Sequence, residues 1–242
     1  MDIAITEDDG LRLLRLGGTP WCQGAMRTDA PDQLELEYAA RMFAWLLFHD
    51  LDRLEGRHLV TLGLGAGSLT RFANRVLGMR ATAVEIEQGV IDACRTHFLL
   101  PPDGDGLRVV HADARDFVRQ ESNRCSIDVL QVDAYDAWVE QPVLDTEAFH
   151  ADCRTCLREN GTVAVNLIGR ALDVRASVTR IRAGLRPRAV WQFPPTEAGN
   201  VVVIARCGEV PGDDVLAARA AAIEDRWELP APAWLAMVRR SG

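Results

Sequence analysis

The sequence predicts an α/β fold built on a mostly parallel sheet of seven strands, with a small β unit before it. Short apolar runs alternate with segments of helical periodicity from His58 to Leu185. A glycine-rich turn, Gly63-Leu-Gly65-Ala-Gly67, joins the first of these runs to the first of these helices. The last two apolar runs are joined by a Pro/Gly-containing link that is too short for a crossover helix. Such a link implies one antiparallel strand in the sheet.

Residues 1–30 are predicted to form a small N-terminal β-hairpin or meander. The apolar runs are Ile3–Ile5, Leu11–Leu16 and Trp21–Met26, and turn-forming residues separate them. A unit of this size is too small to be stable alone, so we expect it to pack on the main domain or on a second subunit. Residues 31–55 are predicted to form a connecting helix, because Asp29–Asp32 with Pro31 marks a helix start. Leu34–Leu51 is apolar over more than one face, so we expect this helix to be well buried.

The main domain is expected to cover residues 56–226. Its predicted strands are His58–Leu64, Ala81–Ile86, Leu107–Ala112, Ile127–Val132, Thr162–Ile168, Val190–Phe193 and Val201–Ala205. The predicted helices are Ser68–Leu77, Gly89–Phe98, Arg115–Gln120, Thr146–Glu159, Asp173–Leu185 and Asp213–Arg226. This order is typical of a Rossmann-like, class I methyltransferase fold. Residues 227–242 form a tail to which the sequence assigns no definite structure.

Composition narrows the classes of partner. The 242 residues are 48% apolar, which is enough for a sizeable core, and the formal net charge is −8. An acidic chain disfavours a nucleic-acid partner and suits a cationic or neutral small molecule. The sequence has no apolar run long enough to span a membrane and no signal-peptide pattern, so we expect no membrane association and a cytoplasmic location.

The six cysteines are scattered, as in reduced cytosolic proteins. Cys153 and Cys156 form one C-x-x-C pair, with His150 nearby. A structural zinc site would need a second pair of ligands, so we expect no metal and interpret the pair as part of a helix face.

Acidic residues follow three of the predicted strands. Glu85 ends the second strand with Ile86 beside it, while Asp113 and Asp133 follow the third and fourth. Ligands of open α/β sheets bind outside the carboxyl ends of the strands. Glycines at positions 63, 65 and 67 let a ligand approach the backbone, and an acid about twenty residues later suits the hydroxyls of a ribose. The pattern indicates a nucleoside-containing ligand, although Asp113 could instead serve only to cap a helix.

The chain resembles the spermidine synthase (polyamine aminopropyltransferase) family over roughly residues 58–168. The matching motifs are VTLGLGAGSLTRF, AVEIE, VVHADARDFV, IDVLQVDAYDA and LDTEAFHADCRTCLRENGTVAVN. The small N-terminal β unit, followed by a segment that carries a tyrosine, is similar to that family as well. The resemblance implies transfer of an aminopropyl group from decarboxylated S-adenosylmethionine to a small-molecule amine.

The resemblance also implies roles for individual residues. Glu85 would hold the ribose, and Asp113 with Ala114 the adenine. Asp133 and Asp136 would match the two acids that orient the amine and accept its proton, and Tyr38 would match a substrate tyrosine. The family's first loop usually carries an aspartate that contacts the aminopropyl ammonium, whereas this chain has Ala66 there. The tyrosine is usually followed by His or Gln and then Glu, whereas Tyr38 is followed by two alanines. The nucleoside half of the site therefore matches the family more closely than the amine half.

Two alternatives remain open from the sequence. The same fold could transfer a methyl group from S-adenosylmethionine, although Thr61 stands where methyltransferases usually carry an acid. The chain could also be a non-catalytic, nucleoside-binding or purely structural relative. In either case the small β unit favours a homodimer.

Overall fold

A computed structural model describes residues 2–18, 22–104, 106–135, 144–168 and 173–241. A small antiparallel sheet comes first, in the order β1 (Ile3–Asp8), β2 (Leu11–Leu16) and β3 (Cys22–Arg27). The predicted N-terminal β unit is thus confirmed as a three-stranded meander. Its buried residues Leu14, Leu16 and Met26 pack in one cluster with residues of the main domain such as Ala83 and Phe98.

Among the described residues, the main sheet has eight strands in the order β11-β9-β10-β8-β7-β4-β5-β6. Their bounds are β4 (His58–Leu62), β5 (Arg80–Glu85), β6 (Leu107–His111), β7 (Ile127–Val132), β8 (Leu157–Leu167), β9 (Ala189–Gln192), β10 (Val201–Arg206) and β11 (Arg239–Ser241). Strands β4 to β8 are parallel, and β10 pairs antiparallel with both β8 and β9. The mostly parallel Rossmann-like fold is confirmed, and the tail adds β11 as an eighth, edge strand.

The helices are α1 (Glu37–Arg41), α2 (Ser68–Arg71), α3 (Gln88–His97), α4 (Ala114–Arg119), α5 (Glu147–Cys156), α6 (Val174–Leu185), α7 (Asp213–Trp227) and α8 (Ala231–Met237). A single π-helical turn, Phe72–Val76, extends α2. The parallel order places the helices on both faces of the sheet, so the inner strands β4, β7 and β10 are buried on both sides.

The prediction of a single helix over Leu34–Leu51, within the connecting segment 31–55, is wrong. The structure has the short helix α1 and two 3₁₀ turns, Ala44–Phe48 and Leu51–Arg53. All residues from Met42 to Phe48 are buried, and Phe48 stacks on Trp191 with 4.2 Å between ring centroids. A surface α-helix presents one face to the core, whereas this segment is enclosed on all sides. Tertiary packing has therefore overridden helix propensity.

The helix predicted to end at Asn160-Gly161 ends earlier, at Cys156. Strand β8 begins at Leu157 and continues through both residues to Leu167. The pairing of β7 with β8 shifts register between Ile127 and Val129, which accommodates the extra residues. The Asn-Gly pair therefore lies in an irregular start of a strand and does not end a helix.

Candidate active site

A cavity of about 740 Å³ lies at the carboxyl ends of the parallel strands, between the main sheet and the small sheet. Its size is typical of a small-molecule site. Most of the residues predicted from the sequence line it: Tyr38, Gly63, Gly65, Glu85, Ile86, Asp113, Ala114 and Asp133. Gly67 does not line this cavity and instead precedes α2, with Leu100 and Arg71 as its neighbours. Asp136 lies outside the described residues.

Strand register brings the glycine turn against Asp133. Leu62 of β4 pairs with Val84 of β5 and with Val132 of β7. Hydrogen bonds continue past the strands, from Gly63 N to Val84 O at 2.8 Å and from Asp133 N to Leu62 O at 2.9 Å. Gly63 has a φ of +94°, and a Cβ there would overlap the carbonyl oxygen of Asp133. Glycine is therefore required at this position by both conformation and space.

Gly63→Ala is expected to lower the free energy of unfolding by about 3 kcal/mol, through left-handed strain and overlap with Asp133. Gly56→Ala is a matched control, because Gly56 also has a positive φ (+71°) but no atom within 4 Å of an added Cβ. Its cost should be about 1 kcal/mol. Urea denaturation measures both variants, and equal losses would show that the approach to Asp133 does not constrain residue 63.

Glu85 is held by the backbone on both sides. Leu64 N donates to Oε2 at 2.9 Å, and Glu87 N donates to Oε1 at 3.0 Å. Each oxygen keeps acceptor capacity for one further donor, which suits a vicinal diol. Burial raises the pKa of the carboxyl, while the backbone donors oppose this rise. Glu85 is thus a pre-positioned double acceptor at the end of β5.

Asp113 lies one strand further along and caps α4. Its Oδ1 accepts from Arg115 N at 2.7 Å. The capping role considered from the sequence is therefore real, but Asp113 and Ala114 also line the cavity. The second carboxylate oxygen, Oδ2, lies 3.9 Å from Arg115 Nη1. Asp113 can thus cap the helix and still face a ligand.

Asp133 lies in the interior of the site, directly after β7. Its Oδ2 accepts from the Tyr38 hydroxyl at 3.3 Å, and its Oδ1 accepts from Asn166 Nδ2 at 2.8 Å. Burial raises the pKa of Asp133, while the Asn166 and Tyr38 donors act to lower it. Burial and the nearby Asp133 charge raise the pKa of Tyr38 well above its usual value, so the phenol stays neutral and can donate. This arrangement gives a half-buried carboxylate that lines the cavity and can accept a proton.

Sequence reasoning missed the polar residues around Asp133. Asn166 is the next-to-last residue of β8, and its side-chain oxygen accepts from Asn200 Nδ2 at 3.0 Å. Tyr135 donates its hydroxyl proton to the carbonyl of Asn166 and accepts from Ile168 N at 3.1 Å. No signal in the sequence identifies Asn200, because the antiparallel pairing that the sequence predicts joins β9 to β10 and does not place β10 beside β8.

The charge of the cavity is strongly asymmetric. Among the described lining residues, Glu37, Glu85, Glu87, Asp113, Asp133 and Glu197 are acidic, and Arg115 is the one cation. Glu37 is paired with Arg41 of the same helix. Arg115 lies beside Asp113, far along the sheet from Asp133 in strand order. The surroundings of Asp133 therefore favour positively charged ligand groups.

Cys153 and Cys156 are free, buried thiols. Cys156 Sγ donates to the carbonyl of Val118 at 3.0 Å, and burial raises its pKa to about 11. The described residues contain no cluster of His, Cys, Asp and Glu suited to a metal. Likewise, no helix in the described parts of the chain has the length and apolarity needed to cross a membrane.

Comparison with solved structures places the fold among class I methyltransferase-like proteins. A probable spermidine synthase from Corynebacterium glutamicum has a TM-score of 0.73 at 19% identity, over 99% of this chain and 86% of that one. Human methyltransferase-like protein 13, solved with SAH, has a TM-score of 0.70 at 21% identity, over 79% of this chain and 92% of that one. These likenesses concern the fold alone.

Sequence comparison resolves the family. A polyamine aminopropyltransferase of Chromobacterium violaceum is 32% identical over 205 residues, which are 84% of this chain and 76% of that protein. The chain belongs to the polyamine aminopropyltransferase family. A scan against models of protein families matches none of them.

Proposed function

We propose that this protein transfers the aminopropyl group of decarboxylated S-adenosylmethionine to a small-molecule amine. The observation that carries the proposal is Asp133, a half-buried carboxylate that faces the cavity beside the glycine turn. Family membership at 32% identity supports the same reaction. A spermidine synthase of the same fold, solved with the transition-state analogue AdoDATO, gives a TM-score of 0.59.

The residues that line the cavity suit a donor with a nucleoside at one end and a sulfonium at the other. The nucleoside would lie along Glu85, Ile86, Asp113 and Ala114, with Glu85 accepting from the ribose hydroxyls. The glycine turn would then direct the sulfonium toward Asp133. The acidic surroundings favour a donor without a free carboxylate, which is the difference between the decarboxylated donor and S-adenosylmethionine.

The transfer step follows from the chemistry of amines. An aliphatic amine is protonated at neutral pH and cannot attack until it loses a proton. Asp133 would hold the ammonium and accept that proton as the nitrogen attacks the methylene carbon bonded to sulfur. The new C–N bond forms while the C–S bond breaks, and methylthioadenosine leaves with the sulfur electron pair. Since the sulfonium is already a good leaving group, positioning supplies much of the remaining acceleration.

Methyl transfer on the same fold has less support. Thr61 occupies the position where methyltransferases usually carry an acid, and it is buried in the sheet, with Oγ1 3.3 Å from Gln131 Oε1. A homodimer joined through the small sheet, a cytoplasmic location and a role for Asp136 stay predictions from the sequence.

Calorimetric titration with decarboxylated S-adenosylmethionine, S-adenosylmethionine and methylthioadenosine tests the proposal. We expect the decarboxylated donor to bind more tightly than S-adenosylmethionine. We also expect the protein to release methylthioadenosine when it is given the decarboxylated donor and a suitable amine from a panel. Tighter binding of S-adenosylmethionine, with methylation of an acceptor, would replace the proposal by methyl transfer. Binding of none of the three would contradict both reactions.

A further inference from the structure

Three buried polar side chains extend from Asp133 across the sheet; we call Asn166, Asn200 and Thr196 the amide network. Asn166 Nδ2 donates to Asp133 at 2.8 Å, and Asn200 Nδ2 donates to Asn166 Oδ1 at 3.0 Å. Thr196 Oγ1 donates to Asn200 Oδ1 at 3.4 Å and accepts from Asn200 N at 3.0 Å. Their exposed fractions are 3% for Asn166, 4% for Asn200 and 7% for Thr196. Each polar group therefore depends on its neighbour and not on bulk water.

We propose that Asn200 is a positioning residue that fixes which end of the Asn166 amide faces Asp133. An asparagine amide has a donor end and an acceptor end of nearly the same shape. Only the donor end stabilises an ionised carboxylate. Because Asn200 donates to Asn166 Oδ1, the oxygen of Asn166 is held away from Asp133 and its NH₂ group is directed toward it.

The network is anchored at both ends by backbone. Asn166 pairs with Val202 in the β8–β10 ladder, and its carbonyl accepts from the Tyr135 hydroxyl. On the other side, Thr196 N donates to Asn200 O at 2.8 Å and Gly199 N donates to Thr196 O at 2.9 Å, which closes a tight turn. Glu197 in that turn lines the cavity. The network thus connects the cavity mouth to the proposed base.

Other titratable groups around Asp133 come from several elements. Tyr38 of α1 donates to it, and Tyr135 follows β7. The cavity that Asp133 faces is also lined by Cys22 of β3, Glu37 and Glu197. Burial raises the pKa of both tyrosines and of Cys22, so these three groups are neutral near pH 7. Asn166 and Tyr38 are then the side chains that donate to the ionised form of Asp133.

The test is Asn200→Leu, which keeps the approximate volume and removes the donor to Asn166. We expect the acid limb of the pH profile of kcat/KM to move upward by about one pH unit, as the loss of one hydrogen bond to a charged group would give. Asn200→Ala should give the same shift and is easier to accommodate if leucine prevents folding. Thr162→Val is the control on β8, the strand that carries Asn166, since it removes a buried hydroxyl bonded to His49 (2.8 Å) midway along that strand.

The kinetic readout rests on the proposed function, so a second readout is independent of turnover. Carboxyl ¹³C NMR titration, with the Asp133 signal assigned by its absence in Asp133→Asn, should show the same upward shift in both Asn200 variants. If the wild-type protein showed no aminopropyl transfer, the proposed function would be wrong. The NMR titration would still decide whether Asn200 positions the Asn166 amide. If folded Asn200 variants titrate like wild type and like Thr162→Val, the positioning role is refuted and the network is only structural.

Discussion

Replacing Asp133 by asparagine is expected to lower the rate of aminopropyl transfer by a factor of about 10³, within the range usual for loss of a general base. Asparagine has nearly the same shape but cannot accept the amine proton. The affinity for methylthioadenosine should stay unchanged, because the residues proposed to hold the nucleoside lie on β5 and α4 and after β6. Turnover measured by methylthioadenosine release, together with calorimetry, separates the two effects.

The same Asp133→Asn variant is expected to lose activity but to gain stability. Burial raises the folded-state pKa of Asp133, so its ionised form is less favourable in the fold than in the unfolded chain. The stability from this group is fully present below its unfolded pKa and is lost as the pH rises through its folded pKa. At pH 7 the ionised carboxylate therefore costs stability, and Asp133→Asn should melt at a higher temperature than wild type. A variant that is inactive and melts at a lower temperature would indicate damage to the fold instead.

Replacing Glu85 by alanine is expected to weaken binding of methylthioadenosine by about 100-fold or more. The ribose would lose two hydrogen bonds to a charged acceptor, each worth about 1.5–3 kcal/mol. Glu85→Gln keeps one acceptor oxygen and should give an intermediate loss. Calorimetry measures the series, and the melting temperature checks the fold, because the Leu64 and Glu87 amides donate to this carboxylate. Wild-type affinity in the alanine variant would exclude Glu85 from the nucleoside site.

The sequence was sufficient for the sheet and for the acids at its edge. Alternating apolar runs identify parallel strands, and parallel strands place Glu85, Asp113 and Asp133 at one edge whatever the details of packing. The prediction failed where packing decides, as in the segment from Met42 to Phe48, because full burial removes the one-sided pattern that marks a surface helix.

Tyr38 was predicted to belong to the site, but the asparagines linked to Asp133 were beyond the sequence reasoning. Asn166 and Asn200 are 34 residues apart. They meet only because β10 lies next to β8 in the sheet. The short link predicted before β10 indicated that this strand is antiparallel to β9. It did not indicate that β8 lies on the other side of β10. Side-chain amides occur throughout soluble proteins, so neither asparagine stands out until strand order is known.

The contact between the small sheet and the glycine turn limits which residues can occupy this wall of the cavity. A Cβ on Gly24 would lie 2.6 Å from the Cβ of Ala66, and one on Gly65 would lie 2.5 Å from Gln23 O. The nearest atom to a Cβ on Gly24 is the backbone nitrogen of Ala66, at 2.5 Å, so no change of side chain at residue 66 would make room for one at residue 24. Glycine at positions 24 and 65 therefore sets how closely the small sheet can approach the glycine turn.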